Sequence, residues 1–134
     1  MTLSIVIMAA GKGTRMKSAR PKVLHKLAGQ PMLSHVIATT STLQADQQVV
    51  ITGHGADQVE STMAAAFSLA PLHFVRQEPQ LGTGHAVQQA VPVLPEGGIT
   101  LILNGDTPLI QASTAQALVD ACAGEHLALL TIDL

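Results

Sequence analysis

The groups best able to do chemistry fall in one stretch near the start: Met8-Ala9-Ala10-Gly11-Lys12-Gly13-Thr14-Arg15-Met16, followed by Pro21-Lys22-Val23-Leu24. Two glycines lack Cβ atoms, so backbone N–H groups beside them can come close to phosphate oxygens. Arg15 brings a planar fork of donors and Lys22 a compact point charge, a pair suited to a polyphosphate. The charge distribution agrees. Residues 1–30 carry six Lys and Arg and no acid, whereas beyond them Arg76 stands alone against nine Asp and Glu. A cationic segment this dense beside glycines favours a small anionic ligand over a solvated basic loop.

Two common phosphate motifs are excluded by spacing. A P-loop needs a glycine five residues before the Gly-Lys pair, and position 6 is Val. A dinucleotide fingerprint needs a third glycine at position 16, which is Met, and Gly82-x-Gly84 fails likewise with Val87. A P-loop kinase and a nicotinamide enzyme are therefore disfavoured.

The elements that must position these residues follow from periodicity. Residues 3–8 are a continuous apolar run rich in β-branched types, as in a strand buried on both faces. Residues 48–52, 72–75, 99–103 and 127–132 read as further strands, that at 99–103 also buried. Helices are expected from Pro31 to about Leu43, over 56–67 with Val59, Met63 and Phe67 on one stripe, and over 83–91 with Ala86, Val87, Ala90 and Val91 inward. A last helix, capped by Ser113, would carry Ala115, Leu118, Val119 and Cys122 on its apolar face. Strands alternate with helices throughout, which predicts an α/β fold with a mainly parallel sheet and helices on both faces.

Composition sets the remaining bounds. At 134 residues, with 47% apolar and 12% charged, the chain fits one domain with a packed core. Two Phe, no Tyr and no Trp leave almost no platform for stacking bases, and a net charge of −2 without a reading helix disfavours duplex DNA. Nucleic acid is not an expected partner. No run reaches the ~20 apolar residues of a membrane span, and no basic segment precedes the apolar opening. The single Cys122 cannot form an internal disulfide and reads as a core thiol. These features describe a soluble, cytoplasmic domain with no membrane partner. The ending at Asp133-Leu134, directly after a strand-like run, reads as a truncated chain.

The sequence Met8-Ala9-Ala10-Gly11-Lys12-Gly13-Thr14-Arg15-Met16 with Pro21-Lys22-Val23-Leu24 resembles the sugar-nucleotide pyrophosphorylases. Gly53-His54-Gly55, Gln77 ahead of Leu81-Gly82-Thr83-Gly84-His85-Ala86, and Gly105-Asp106 narrow the likeness to the bacterial N-acetylglucosamine-1-phosphate uridylyltransferase family. It runs along essentially the whole chain and covers the first half or so of that family's nucleotidyltransfer domain. None of the joined acetyltransferase domain is represented. The resemblance implies a Rossmann-like nucleotidyltransferase fold and transfer of uridylyl from UTP to N-acetylglucosamine 1-phosphate. The products would be UDP-N-acetylglucosamine, a cell-envelope precursor, and pyrophosphate, and the parent protein would be a homo-oligomer.

By the same resemblance, Arg15 and Lys22 are catalytic, stabilising the α-phosphate and the leaving pyrophosphate. Met8, Ala9, Ala10, Gly11, Gly13, Gln77, Gly82, Thr83 and Asn104 would bind UTP, with Gln77 and the amide of Gly82 reading the uracil edge. Asp106 would hold Mg²⁺, since a carboxylate ending a central strand is a hard donor and Mg²⁺ needs few protein ligands. Read alone, Asn104-Gly105-Asp106 is equally a turn sequence. The family's second metal-binding residue and its acceptor-sugar contacts match no position here, so weak or absent transfer by this chain is expected. His85 fits a ligand contact or a structural hydrogen bond equally well, and the six histidines have no zinc-finger spacing. Two alternatives stay open: a non-catalytic UTP-binding fragment of a longer chain, and a pyrophosphorylase for another nucleotide or sugar 1-phosphate.

Overall fold

The computed structural model describes residues 2–11, 20–70 and 72–131. Its centre is β1 (Leu3–Met8), in which Ser4 to Ile7 are buried, as the unbroken apolar run predicts. Beside it lies β4 (Gln47–Thr52), buried from Gln48 onward, then β5 (Leu72–Arg76); β6 (Ile99–Asn104) flanks β1 on the other side. The order is β5-β4-β1-β6 and every pairing is parallel, with Val6 opposite Val49 on one side and Ile102 on the other. The chain thus builds outward from β1 in one direction and then returns to its opposite edge. In such sheets the loops at the carboxyl ends diverge at the point of reversal and leave a crevice there.

Helices cover both faces because side chains alternate along each strand. Ile5 and Ile7 of β1, Val50 of β4 and Leu101 and Leu103 of β6 pack with α1 (Met32–Ser41), α2 (Ala56–Ala66) and α4 (Ala112–Cys122). Leu33, Val36, Ile37, Val59, Met63 and Ala115 supply the helical half of that core. On the opposite face Val6, Val49 and Ile51 meet Ala86 and Ala90 of α3 (Thr83–Ala90). Burying side chains of this size contributes about 1.5–3 kcal/mol each against exposure, which makes the first face the stronger support. A short 3-10 turn (Lys22–Leu24) and a two-stranded ribbon, β2 (Lys26–Leu27) with β3 (Gln30–Pro31), join β1 to α1.

Several expectations need correction. The run 127–132 is not a strand over its described part: residues 127–131 carry no ladder, and Leu127, Leu129 and Leu130 are exposed. Apolar composition alone makes no strand where no neighbouring strand pairs with it. β6 is buried on one face only. Leu101 and Leu103 point into the core, but Thr100 and Ile102 are exposed, because no described helix packs on that side. The last helix begins at Ala112 with Gln111, not Ser113, at its cap position; the Ala115 amide already bonds to the Gln111 carbonyl at 3.1 Å. Cys122 is half-buried and not a core thiol, and Val91 is exposed in a 3-10 turn after α3.

Candidate functional site

A cleft of about 420 Å³ opens at the carboxyl ends of the strands. Its floor is the chain leaving β1, Met8 to Gly11. This exit is tied to β4: the Ala9 amide donates to the Ile51 carbonyl at 2.8 Å and the His54 amide to the Ala10 carbonyl at 3.1 Å. Gly53 permits that approach. A Cβ there would lie 2.9 Å from the Ala10 Cβ and 2.6 Å from the Gln80 amide nitrogen. Gly55, at φ +64°, turns the chain into α2 and lets the Pro21 ring pack where a side chain would collide. The contact holds the segment carrying Lys22 against the strand ends, and buried Val23 and Leu24 secure it from below.

On the β6 flank, Lys22 Nζ lies 2.8 Å from Asp106 Oδ2. Their side chains are 41% and 33% exposed, so the pair contributes at most about 1 kcal/mol to stability and can be exchanged for other partners. Asp106 follows β6 directly, and the Gly105 amide bonds to the Met8 carbonyl at 2.9 Å, fixing the two strand exits together. A carboxylate and an ammonium side by side on an open rim can serve a metal-bound phosphate. The carboxylate takes the cation, and the released ammonium takes an anionic oxygen. One carboxylate fits a Mg²⁺ whose other ligands are phosphate oxygens and water; among the described residues no group of three or more His, Cys, Asp or Glu converges to form a full protein cage.

The β5 flank is built from hydrogen bonds. Gln77 continues the ladder beyond β5, its amide donating to the Thr52 carbonyl at 2.8 Å, and only 3% of it is exposed. Its side-chain nitrogen lies 3.0 Å from the Gly82 carbonyl and 3.0 Å from His85 Nδ1. Behind it, Arg76 bonds Glu60 through Nε and Nη2, each at 3.1 Å, and also reaches Asp57. Thr52 adds a hydrogen bond to Glu60 at 2.7 Å. The Arg76 hydrogen bonds hold the Glu60 carboxyl below its ordinary range, helped by Thr52, and Glu60 and Asp57 raise Arg76 in turn. This ion group pins α2 to the ends of β4 and β5, directly beside Gln77.

Ten of the anticipated site residues line this one cleft: Met8, Ala9, Ala10, Gly11, Lys22, Gln77, Gly82, Thr83, Asn104 and Asp106. Gly13 and Arg15 lie outside the described residues. Gln80, Val23 and Ala86 also line it and were not anticipated. Val23 and Ala86 carry only the signal of core residues, and Gln80 carries none beyond its place in the loop before Gly82. Away from the cleft, a larger apolar hollow of about 1360 Å³ runs along the uncovered face of β6 and α4, past Ile102, Leu109, Cys122 and Leu127.

Comparison with known proteins bears on the family and the fold. The model of the MobA-like NTP transferase domain matches residues 5–133. The bifunctional protein GlmU of Methylibium petroleiphilum is 74% identical over 132 residues, 98% of this chain and 29% of that protein. The chain therefore spans less than a third of the length of the curated relatives it matches. Among solved structures, a nucleotidyl transferase from Methanothermobacter thermautotroptrophicus superposes with a TM-score of 0.74 at 25% identity, over 89% of this chain and 57% of that one. Rv0371C from Mycobacterium tuberculosis H37Rv, in complex with manganese, gives 0.72 at 22% identity over 90% of this chain and 59% of its own, a likeness of fold.

Proposed function

The chain belongs to the MobA-like NTP transferase family, and on that premise we propose that it is the nucleotide-binding part of a uridylyltransferase that makes UDP-N-acetylglucosamine from UTP and N-acetylglucosamine 1-phosphate. The observation that carries this reading is the convergence of ten residues, from four separate segments of the chain, on one cleft at the reversal point of the sheet. The likeness to GlmU supports the choice of nucleotide and sugar, and the segment's share of those relatives leaves the acceptor sugar to be held by chain beyond it.

In this reading the uracil lies on the β5 flank against Gln77, Gly82 and Thr83, and the phosphates run across the exit of β1 toward Lys22 and Asp106. A phosphate oxygen of the sugar 1-phosphate attacks the α-phosphorus of UTP in line, one P–O bond forms, and the bond to the pyrophosphate leaving group breaks. No protein nucleophile is needed, because positioning and charge stabilisation suffice for such a transfer. Lys22 leaves Asp106 and neutralises charge on the α-phosphate and on the departing pyrophosphate. Arg15, outside the described residues, is assigned the same task. Backbone amides of Ala10 and Gly11 face the phosphates, Gly13, outside the described residues, is assigned the same task, and Met8 and Asn104 wall the nucleoside. Asp106 would hold Mg²⁺, which supplies Lewis-acid neutralisation of the phosphates when bound. The setting proposed is the cytoplasm, with the product serving cell-envelope synthesis.

Calorimetric titration with UTP, CTP, GTP and dTTP in the presence of Mg²⁺ tests the reading. Binding of UTP at least ~10-fold tighter than CTP, a difference of ~1.4 kcal/mol, is expected. Equal affinity for all four would instead support a pyrophosphorylase of other specificity.

A further inference from the structure

Gln77 is the one residue of the cleft whose side chain is both deeply buried and fully engaged through its nitrogen. That nitrogen carries two hydrogens, and two acceptors stand at 3.0 Å: the Gly82 carbonyl, which can only accept, and His85 Nδ1. The first contact fixes which end of the amide is nitrogen. The second then requires a lone pair on His85 Nδ1, which places the ring proton on Nε2. A competing contact exists, since the Gln89 amide nitrogen lies 3.2 Å from His85 Nε2. A neutral imidazole has one lone-pair nitrogen and cannot accept from both. Both amide nitrogens also donate to a carbonyl, Gln77 to Gly82 and Gln89 to His85 at 3.1 Å, but Gln89 is only half-buried and can turn its second hydrogen to solvent, whereas the buried Gln77 cannot. The lone pair therefore goes to Gln77.

We infer that His85 is a positioning residue for base selection: together with the Gly82 carbonyl it occupies both amide hydrogens of Gln77, so that Gln77 meets a base as an acceptor only. The inference rests on the uracil reading of the same cleft. A pyrimidine with a hydrogen at N3 can donate to the Gln77 Oε1, as uracil does. Cytosine presents a lone pair at N3 and is repelled. Were the amide free to turn over, its NH2 would donate to cytosine N3 equally well, and the preference would shrink. Discrimination of this kind comes from excluding the wrong partner as much as from binding the right one.

The experiment uses the full chain and three forms of it: unaltered, His85→Leu and His85→Asn. Asparagine can place an oxygen near the position of Nδ1 and restore the acceptor; leucine cannot. Affinities for UTP, CTP and inorganic triphosphate are measured with Mg²⁺. The leucine form should lose most of the preference for UTP over CTP, about tenfold, with triphosphate affinity within twofold of the unaltered chain. The asparagine form should recover the preference. Long-range ¹H–¹⁵N correlation on the His85 ring should show an unprotonated Nδ1. A leucine form that keeps the preference, an asparagine form that fails to recover it, or a protonated Nδ1 overturns the inference alone. Absence of any preference in the unaltered chain overturns the uracil reading, and the inference with it.

Discussion

Gln77 and Asp106 follow the two outer strands of the sheet, β5 and β6, and are held in different ways. Three strand spacings separate those strands, about 14 Å, enough for a nucleotide to lie across β4 and β1. On the β5 flank Gln77 is buried and the hydrogen bonds of its side-chain nitrogen are internal to the protein, so its orientation is set before a ligand arrives. On the β6 flank Lys22 and Asp106 are partly exposed and satisfied chiefly by each other. An exposed ion pair costs little to open, which suits a site whose partners change between triphosphate and pyrophosphate. In the proposed reading, selection falls to the internally bonded flank and charge handling to the exchangeable one.

The largest effect should come from breaking the exchangeable flank. Lys22→Ala leaves the Asp106 carboxylate facing the phosphates without its cation, and UTP affinity should fall on the order of 100-fold while the UTP-to-CTP ratio stays put. Calorimetry on both nucleotides checks this; a changed ratio would mean that the two flanks are not separable. Next comes the junction between them. Gly53→Ala pushes a Cβ to 2.9 Å from Ala10 and should destabilise the fold by about 1–3 kcal/mol, read as a lower urea midpoint with unchanged slope.

Gln77→Leu removes the selecting amide and should reduce the UTP preference by about tenfold, with triphosphate binding nearly intact. The smallest effect concerns the ion group behind Gln77. The Glu60 pKa is lower folded than unfolded, so its stabilisation is complete above the ordinary carboxylate range and is lost as pH falls through the lowered value. Glu60→Gln should therefore cost less than about 1 kcal/mol at pH 7, and the cost should shrink as pH falls through the lowered value and the native carboxyl takes up its proton. Melting curves of both forms between pH 3 and 7 give the comparison, and a difference that widens on acidification contradicts it.

The same contrast explains what the sequence disclosed. β1 and β4 are legible because burial on both faces requires an unbroken apolar run, and Gly11, Lys22, Gln77 and Asp106 are legible because their spacing repeats a known pattern. The single-sided burial of β6 was hidden, since Ile99-Thr-Leu-Ile-Leu103 has the apolarity of a central strand and what covers it is decided elsewhere in the chain. Leu127 to Thr131 misled for the converse reason: apolar residues without a neighbouring strand to pair. The tie between Gln77 and His85 was illegible because it depends on a turn at Gly82 bringing two residues eight positions apart within hydrogen-bond reach. Gln80 was missed for want of any pattern around it.

The most direct measurement is a map of backbone amide chemical shifts as UTP and Mg²⁺ are added to the ¹⁵N-labelled chain. Shifts confined to Met8–Gly11, Gly13, Arg15, Lys22, Gln77–Thr83 and Asn104–Asp106 are the result this account predicts. Shifts centred instead on the apolar hollow along β6 and α4, at Ile102, Leu109 and Cys122, would place the ligand in the wrong cavity and contradict it.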